Sequence, residues 1–251
     1  MRSLVRKKLN QLKIIQYNEK NSVYLSNNSD WHLSDSPYKS KVIINLLEQE
    51  NLNPKSIFDV GCGYGSILKS LQEHLPKDII FKGFDVSPDA ISYAKKFECN
   101  NLNFVHGSFT EYNITCDLLL MIDVFEHVPD YLKFINDNVL NSQYSIFHIP
   151  IDISVESILR KSYLWTREKF GHIHYFTSDL AIEILKDQDL DILRVVYTSE
   201  LDLPRSSVGS KIAYPLRRFF ELIFGRRISS IFLGGYSIMV LVKNKNFNVQ
   251  K

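Results

Sequence analysis

Cysteine is scarce in this chain. Cys62, Cys99 and Cys116 are the three among 251 residues, an odd number with no C-x-x-C pair. That excludes a disulfide framework and a thiolate zinc module, and it fits a reducing cytoplasm. Glycine and proline, at 10 and 8 residues, are too few for a long flexible linker, and no repeat of fixed period appears. Long apolar runs are missing too. The longest, 228–242, is broken by Gly234-Gly235 and is too short to span a bilayer. Its second half, 236–242, reads as a buried strand. The basic opening from Met1 to Lys8 is followed by no apolar stretch, so no secretory signal is read. Neither sign of charge dominates, with 30 Lys and Arg against 28 Asp and Glu. The balance is uneven along the chain, however. Residues 1–20 and 205–227 each hold six basic side chains and one acid, which leaves the remainder at −8. Two basic segments on an acidic body suggest a surface for an anionic partner. Nothing calls for DNA.

What is present is concentrated in one place. Ile57-Phe58-Asp59-Val60 reads as an apolar strand and runs into Gly61-Cys62-Gly63-Tyr64-Gly65, after which a helix begins. Glycines permit a tight turn and let a ligand lie against the backbone. The helix start offers unpaired N–H groups. Asp85 ends the next apolar strand, 22 residues after Gly63, the spacing of a ribose-binding acid in a βαβ unit. Together they predict an adenosine-type ligand. Asp59 lies two residues before the first glycine, where a pyrophosphate would meet like charge. An acid there suits a ligand with an ammonium group and no phosphate, such as S-adenosylmethionine.

The run D-x-G-x-G-x-G at 59–65 resembles the first motif of class I S-adenosylmethionine-dependent methyltransferases, small-molecule enzymes in particular. Phe84-Asp85-Val86-Ser87-Pro88 resembles the second, Val105-His106-Gly107-Ser108-Phe109 the third, and residues 116–128 the fourth strand and its following loop. The order and distances across 55–150 are those of the family. Family members often carry an acid where Ser108 stands. The resemblance implies the cofactor S-adenosylmethionine, held by Asp59, Gly61, Cys62, Gly63, Gly65, Asp85, Val86, Ser87, Gly107, Ser108, Phe109, Ile122, Asp123 and Val124. It also implies a doubly wound, Rossmann-like α/β sheet of seven strands. The last strand would enter antiparallel, between the fifth and sixth.

The residues themselves place strands at 56–60, 80–84, 102–105, 117–122 and 144–149, with helices near 65–74, 88–98 and 129–139. Such alternation predicts a parallel, doubly wound sheet. A basic amphipathic helix is expected over 1–20, and a helix capped by Ser36 runs to about Glu50. A helical insert follows at 151–170, then a helix from Thr177 or Ser178 to Leu185, a sixth strand at 190–197, and a basic excursion at 203–233. The whole chain, 1–251, reads as one domain: N-terminal cap helices over 1–50, a cofactor-binding half over 51–150, and a substrate-side half over 151–251.

Methyl transfer to a hydroxyl benefits from a base, and histidine suits neutral pH. His148, His172 and His174 fall at or beyond strand ends and are the catalytic candidates, with Asp123. Asp123, Glu126 and His127, completed by His172 or His174, also resemble an E-x-x-E-H set that holds a divalent ion in some RNA 2′-O-methyltransferases and some quinone-pathway O-methyltransferases. The expected centre is nevertheless metal-free. Trp31, His32 and Asp35 would line the acceptor pocket. Arg217 and Arg218, with Arg226 and Arg227, would meet phosphate. The predicted activity is methyl transfer to a small-molecule hydroxyl on a sugar, glycolipid or secondary metabolite, the acceptor bearing phosphate or the chain docking on an anionic membrane. The alternatives are a metal-dependent RNA 2′-O-methyltransferase and a cofactor-binding protein without turnover.

Overall fold

A computed structural model describes residues 35–203 and 208–247, with the backbone alone for 208–213. Trp31, His32 and the helix expected over 1–20 lie outside the described residues. The first helix, α1 (Ser36–Gln49), has Asp35 at its cap position, one residue earlier than expected, without a side-chain cap bond. Then follow β1 (Ser56–Val60), α2 (Ser66–His74), β2 (Ile80–Asp85), α3 (Pro88–Ala94), β3 (Leu102–His106), β4 (Cys116–Ile122), α4 (Tyr131–Val139) and β5 (Ser142–Ile151). The helices near 65–74 and 129–139 are borne out. The one expected over 88–98 stops at Ala94 and tightens into a 3-10 turn. Ser87, Asp130 and Thr177 each accept a backbone N–H at a helix start, which ties those ends to their sequence.

The strand order is β3-β2-β1-β4-β5-β7-β6, with β6 (Leu190–Ser199) and β7 (Tyr236–Asn244). The first five strands pair in parallel, and β7 lies antiparallel between β5 and β6. This is the seven-stranded topology expected. Both faces of the sheet are covered, so its central strands read as unbroken apolar runs. Alternate side chains then feed two cores. On one face Ile57, Leu118, Leu120 and Ile146 pack with Ile43 and Leu46 of α1, Leu68 and Leu71 of α2, and Ile91 of α3. On the other, Phe58, Leu119, Met121 and Phe147 pack with Ile135 and Val139 of α4 and with Ala181 and Leu185 of α7 (Ser178–Lys186). The described part of the N-terminal segment is thus a core layer.

The insert after β5 folds as α5 (Val155–Arg160) and α6 (Ser162–Lys169), joined by Lys161 in a left-handed conformation. The basic excursion holds a long helix, α8 (Val208–Phe232), broken at Gly225, where φ is 75° and ψ 167°.

Candidate active site

The glycine turn after β1 is stitched to β2: Gly61 and Cys62 both donate their N–H to the Phe84 carbonyl, at 2.8 and 3.1 Å. Gly61, Gly63 and Gly65 all have positive φ. A Cβ on Gly61 would lie 2.6 Å from Val124 Cγ2, so this glycine makes room for the loop behind β4. Gly63 N–H donates to Asp85 Oδ2 and Ser87 N–H to Asp85 Oδ1, each at 2.8 Å. Each carboxylate oxygen keeps a further lone pair for a ribose hydroxyl. Burial pushes the Asp85 carboxyl up, and the Ser87 and Gly63 amides pull it back. Asp59 is buried, and burial together with the Asp85 charge raises it well above the usual carboxylate range. Its Oδ1 has no hydrogen-bond partner among the described residues. A cationic ligand would meet that need. Val86 is half exposed beside Asp85, an apolar platform for an adenine. Ser108 Oγ lies 2.8 Å from Thr110 Oγ1 in the Gly107 loop. Phe109 departs from its expected role: it is fully buried between Phe58 and Phe84, a core ring under the loop.

Behind β4, Ile122 is buried and Asp123 adopts φ 55°. Asp123 N–H donates to the His148 carbonyl at 3.0 Å. Its carboxylate meets Lys39 Nζ at 2.7 Å and His148 Nδ1 at 2.6 Å, while His148 Nε2 lies 2.9 Å from Thr198 Oγ1. Thr198 in turn donates to the Ser237 carbonyl. Both His148 ring nitrogens are therefore occupied and the ring is buried, which corrects its reading as a free base. The Asp123 carboxylate is likewise spent on this chain of contacts. Burial pulls Lys39 down, but Asp123, Asp35 and Glu126 outweigh it and hold the lysine above its ordinary value. Asp35 lies 3.9 Å from Lys39. Lys39 and Thr198 went unnoticed in the sequence; neither stands in a motif.

A second group forms next to this one. The loop after α6 docks on the backbone of Glu126, whose carbonyl accepts from the N–H of Ile173 and His174. His174 Nε2 is turned to the Val128 carbonyl at 3.0 Å, so it faces the fold. His172 Nδ1 meets Asp152 Oδ2 at 2.6 Å, and the His172 and His127 rings stand edge to face, 5.0 Å apart. Glu126 is fully buried and neither carboxylate oxygen has a hydrogen-bond partner among the described residues. Of the predicted catalytic histidines, His172 is the one this cluster gathers.

The arginines of α8 correct their assignment to a phosphate. Arg217 bonds Glu156 and the Gly234 carbonyl. Arg218 bonds Asp202 and Glu221. Arg226 bonds Asp202, Glu221 and the Tyr197 carbonyl. These forks are consumed in fastening α8 to α5, to the turn at Asp202 and to the end of β6. Tyr38 of α1 donates to the same Asp202 at 2.7 Å; burial and that carboxylate push the phenol up to about 12.

A family model described as a methyltransferase domain matches residues 33–195. The chain belongs to that family. It is an S-adenosylmethionine-dependent class I methyltransferase, as the sequence motifs implied. A curated relative is the tRNA U34 carboxymethyltransferase of Campylobacter fetus subsp. fetus (strain 82-40), 29% identical over 179 residues. The match covers 66% of this chain and 63% of the relative, so the chain spans less than two thirds of that protein. Among solved structures, magnesium protoporphyrin IX methyltransferase from Synechocystis PCC 6803, with bound SAH, is similar at TM-score 0.58 and 15% identity, covering 98% of this chain and 100% of that one. A Haloferax volcanii protein in complex with the Trm112 methyltransferase activator reaches TM-score 0.63 at 15% identity, covering 93% and 99%. At such identities the likeness is one of fold. No described helix is long and apolar enough to cross a membrane.

Proposed function

We propose that this methyltransferase acts on a hydroxyl of a small-molecule acceptor, a sugar, glycolipid or secondary metabolite, in the cytoplasm. The observation that carries the reading is the His172–Asp152 pair, 2.6 Å apart, beside Glu126 and His127. It lies on the loops that leave the carboxyl ends of β4 and β5, the side on which open α/β sheets place their ligands. Bound S-adenosylmethionine supplies a methyl group already activated on sulfonium. Asp85 would hold the ribose hydroxyls and Asp59 the ammonium end, with Val86 and Ser108 beside the adenine and Ile122 to Val124 beside the methionyl part. Asp152 fixes the His172 tautomer, which leaves Nε2 to accept the acceptor's proton. The oxygen would then take the methyl group from sulfonium, with S-adenosylhomocysteine as the leaving group. The exposed apolar side chains Leu216, Phe219, Leu222 and Ile223 on α8 favour the glycolipid end of the acceptor range.

The Campylobacter relative, named for tRNA, supports an RNA acceptor as a second reading. Labelled cofactor offered with sugar nucleotides, glycolipids and unmodified tRNA separates the two. Labelled sugar or lipid, with turnover lost in Asp152→Asn, supports the first. Label in tRNA alone moves the acceptor to RNA. Cofactor binding with no S-adenosylhomocysteine released from any acceptor pool leaves a binding protein.

A further inference from the structure

We propose that Glu126, His127 and His172 form a three-ligand site for a divalent transition-metal ion, Zn²⁺ or Mn²⁺ in preference to Mg²⁺. One ligating atom from each residue lies within 4.8 Å of the other two. Neighbouring donors around a tetrahedral ion at about 2.1 Å stand roughly 3.4 Å apart, so small rotamer changes close the set. The second, independent observation is the Glu126 carboxylate. Both its oxygens are buried and lack a partner among the described residues, and an unpaired buried acid of this kind is costly. His127 Nε2 already stands 3.9 Å from Glu126 Oε1. A cation between them would satisfy the acid that no described side chain satisfies.

The surroundings fit a ligand set. Asp152 takes His172 Nδ1, so Nε2 is the nitrogen left to ligate, and a carboxylate behind a ligating imidazole orients the ring and raises its basicity. Glu126 itself is positioned by its carbonyl, which accepts from Ile173 and His174 and so brings the His172 loop onto it. Two imidazoles and one carboxylate suit borderline ions better than Mg²⁺, which prefers oxygen ligands and retained water. The set differs from the four residues that the sequence offered. Asp123 is bound to Lys39 and His148, and His174 is turned to Val128. Three protein ligands leave open positions. With the ion bound, His172 Nε2 is a ligand and the ion takes over its part as base: an acceptor hydroxyl entering an open position would lose its proton to solvent more readily, and its oxygen would then take the sulfonium methyl.

The inference builds on the reading of this cluster as the acceptor-side centre, and its test needs no acceptor. Protein stripped with EDTA is titrated calorimetrically with Mn²⁺, Zn²⁺ and Mg²⁺, and with Co²⁺ under visible absorption. One ion per chain is expected, with Mg²⁺ the weakest and a Co²⁺ d–d band. Glu126→Gln and His172→Ala should each abolish binding. Asp152→Asn, a positioning change, should weaken it about 10–100-fold. S-adenosylmethionine affinity, measured on the same samples, should stay near normal and so report an intact fold. Wild-type protein that binds none of the four ions overturns the site, as does unchanged binding in both Glu126→Gln and His172→Ala. Turnover of a hydroxyl acceptor by metal-free protein would overturn the ion's part in transfer while leaving the function standing. Metal bound with no acceptor turned over would do the reverse.

Discussion

Lys39 Nζ lies 2.7 Å from Asp123 Oδ2, joining the helix ahead of β1 to the loop behind β4. The lysine is buried, and Asp123 is one of four non-glycine residues with positive φ among the described residues. Lys39 and His148 together hold its carboxylate in that conformation, and the next residue, Val124, sits against Gly61 in the cofactor turn. Lys39→Met removes one partner of a largely buried pair and should cost about 3 kcal/mol in urea unfolding. Lys39→Met combined with Asp123→Asn should cost clearly less than the sum of the two single changes. Strict additivity would show that the pair is uncoupled.

Asp85 is the residue on which cofactor binding should depend most. Its carboxylate is already oriented by Gly63 and Ser87, and charged acceptors make the stronger hydrogen bonds. Asp85→Ala should weaken S-adenosylmethionine by about 1.5–3 kcal/mol, tenfold or more by calorimetry. Unchanged affinity would remove the ribose role.

Gly61 tests a different point. Its substitution should fail through the fold, because an added Cβ meets Val124 and φ is 75°. Gly61→Ala should lower Tm, and Val124→Ala in the same chain should restore part of the loss. No rescue would mean that backbone strain alone sets the cost.

The sequence made the cofactor half legible because the physics there is local. A strand ending in an acid, a glycine turn and a second acid at a fixed distance are consecutive in the chain, and the structure joins Gly63 to Asp85 as that spacing requires. Periodicity placed the strands for the same reason. The acceptor half was less legible because its contacts are long-range. Asp123 read as catalytic, yet its fate is decided by Lys39, 84 residues earlier, and by His148, 25 residues later. The arginines of α8 read as a phosphate surface, yet Asp202 and Glu221 claim Arg218 and Arg226, and Glu156 claims Arg217. Phe109 stands in a cofactor motif but turns into the core, since the 3-10 turn after Gly107 carries its ring against Phe58 and Phe84. His172 was found by its place after a strand, but its partner Asp152 carried no motif.

Arg226 should matter to stability and Arg227 should not. Arg226 bonds two carboxylates and a carbonyl, and against the burial of Asp202 the Tyr38 hydroxyl and Arg226 together hold that carboxyl below the usual carboxylate range. Arg227 meets Asp179, and both partners are well exposed. Arg226→Ala should destabilise by about 1–3 kcal/mol, while Arg227→Ala stays within about 0.5 kcal/mol. Equal midpoints in urea would return both arginines to the solvent-facing role.

Glu126 should make the metal-free protein less stable as pH rises. Burial first, and then the Asp123 and Asp152 charges, push its carboxyl well above the ordinary 4.5, with Lys39 opposing them. The folded protein therefore holds a proton that the unfolded chain releases near that ordinary value. The stability linked to that proton is complete below pH 4.5 and is lost as pH climbs through the raised folded value. Glutamine cannot ionise. Glu126→Gln should match the wild type near pH 4 and exceed it at pH 8 in EDTA, by about 1–3 kcal/mol, read as a Tm difference of a few degrees. Adding Mn²⁺ at pH 8 should reverse the order, because an ion bound to the folded state stabilises the wild type alone. A glutamine variant less stable than wild type at pH 8 in EDTA would show that Glu126 is ionised and paired in the folded protein without any metal.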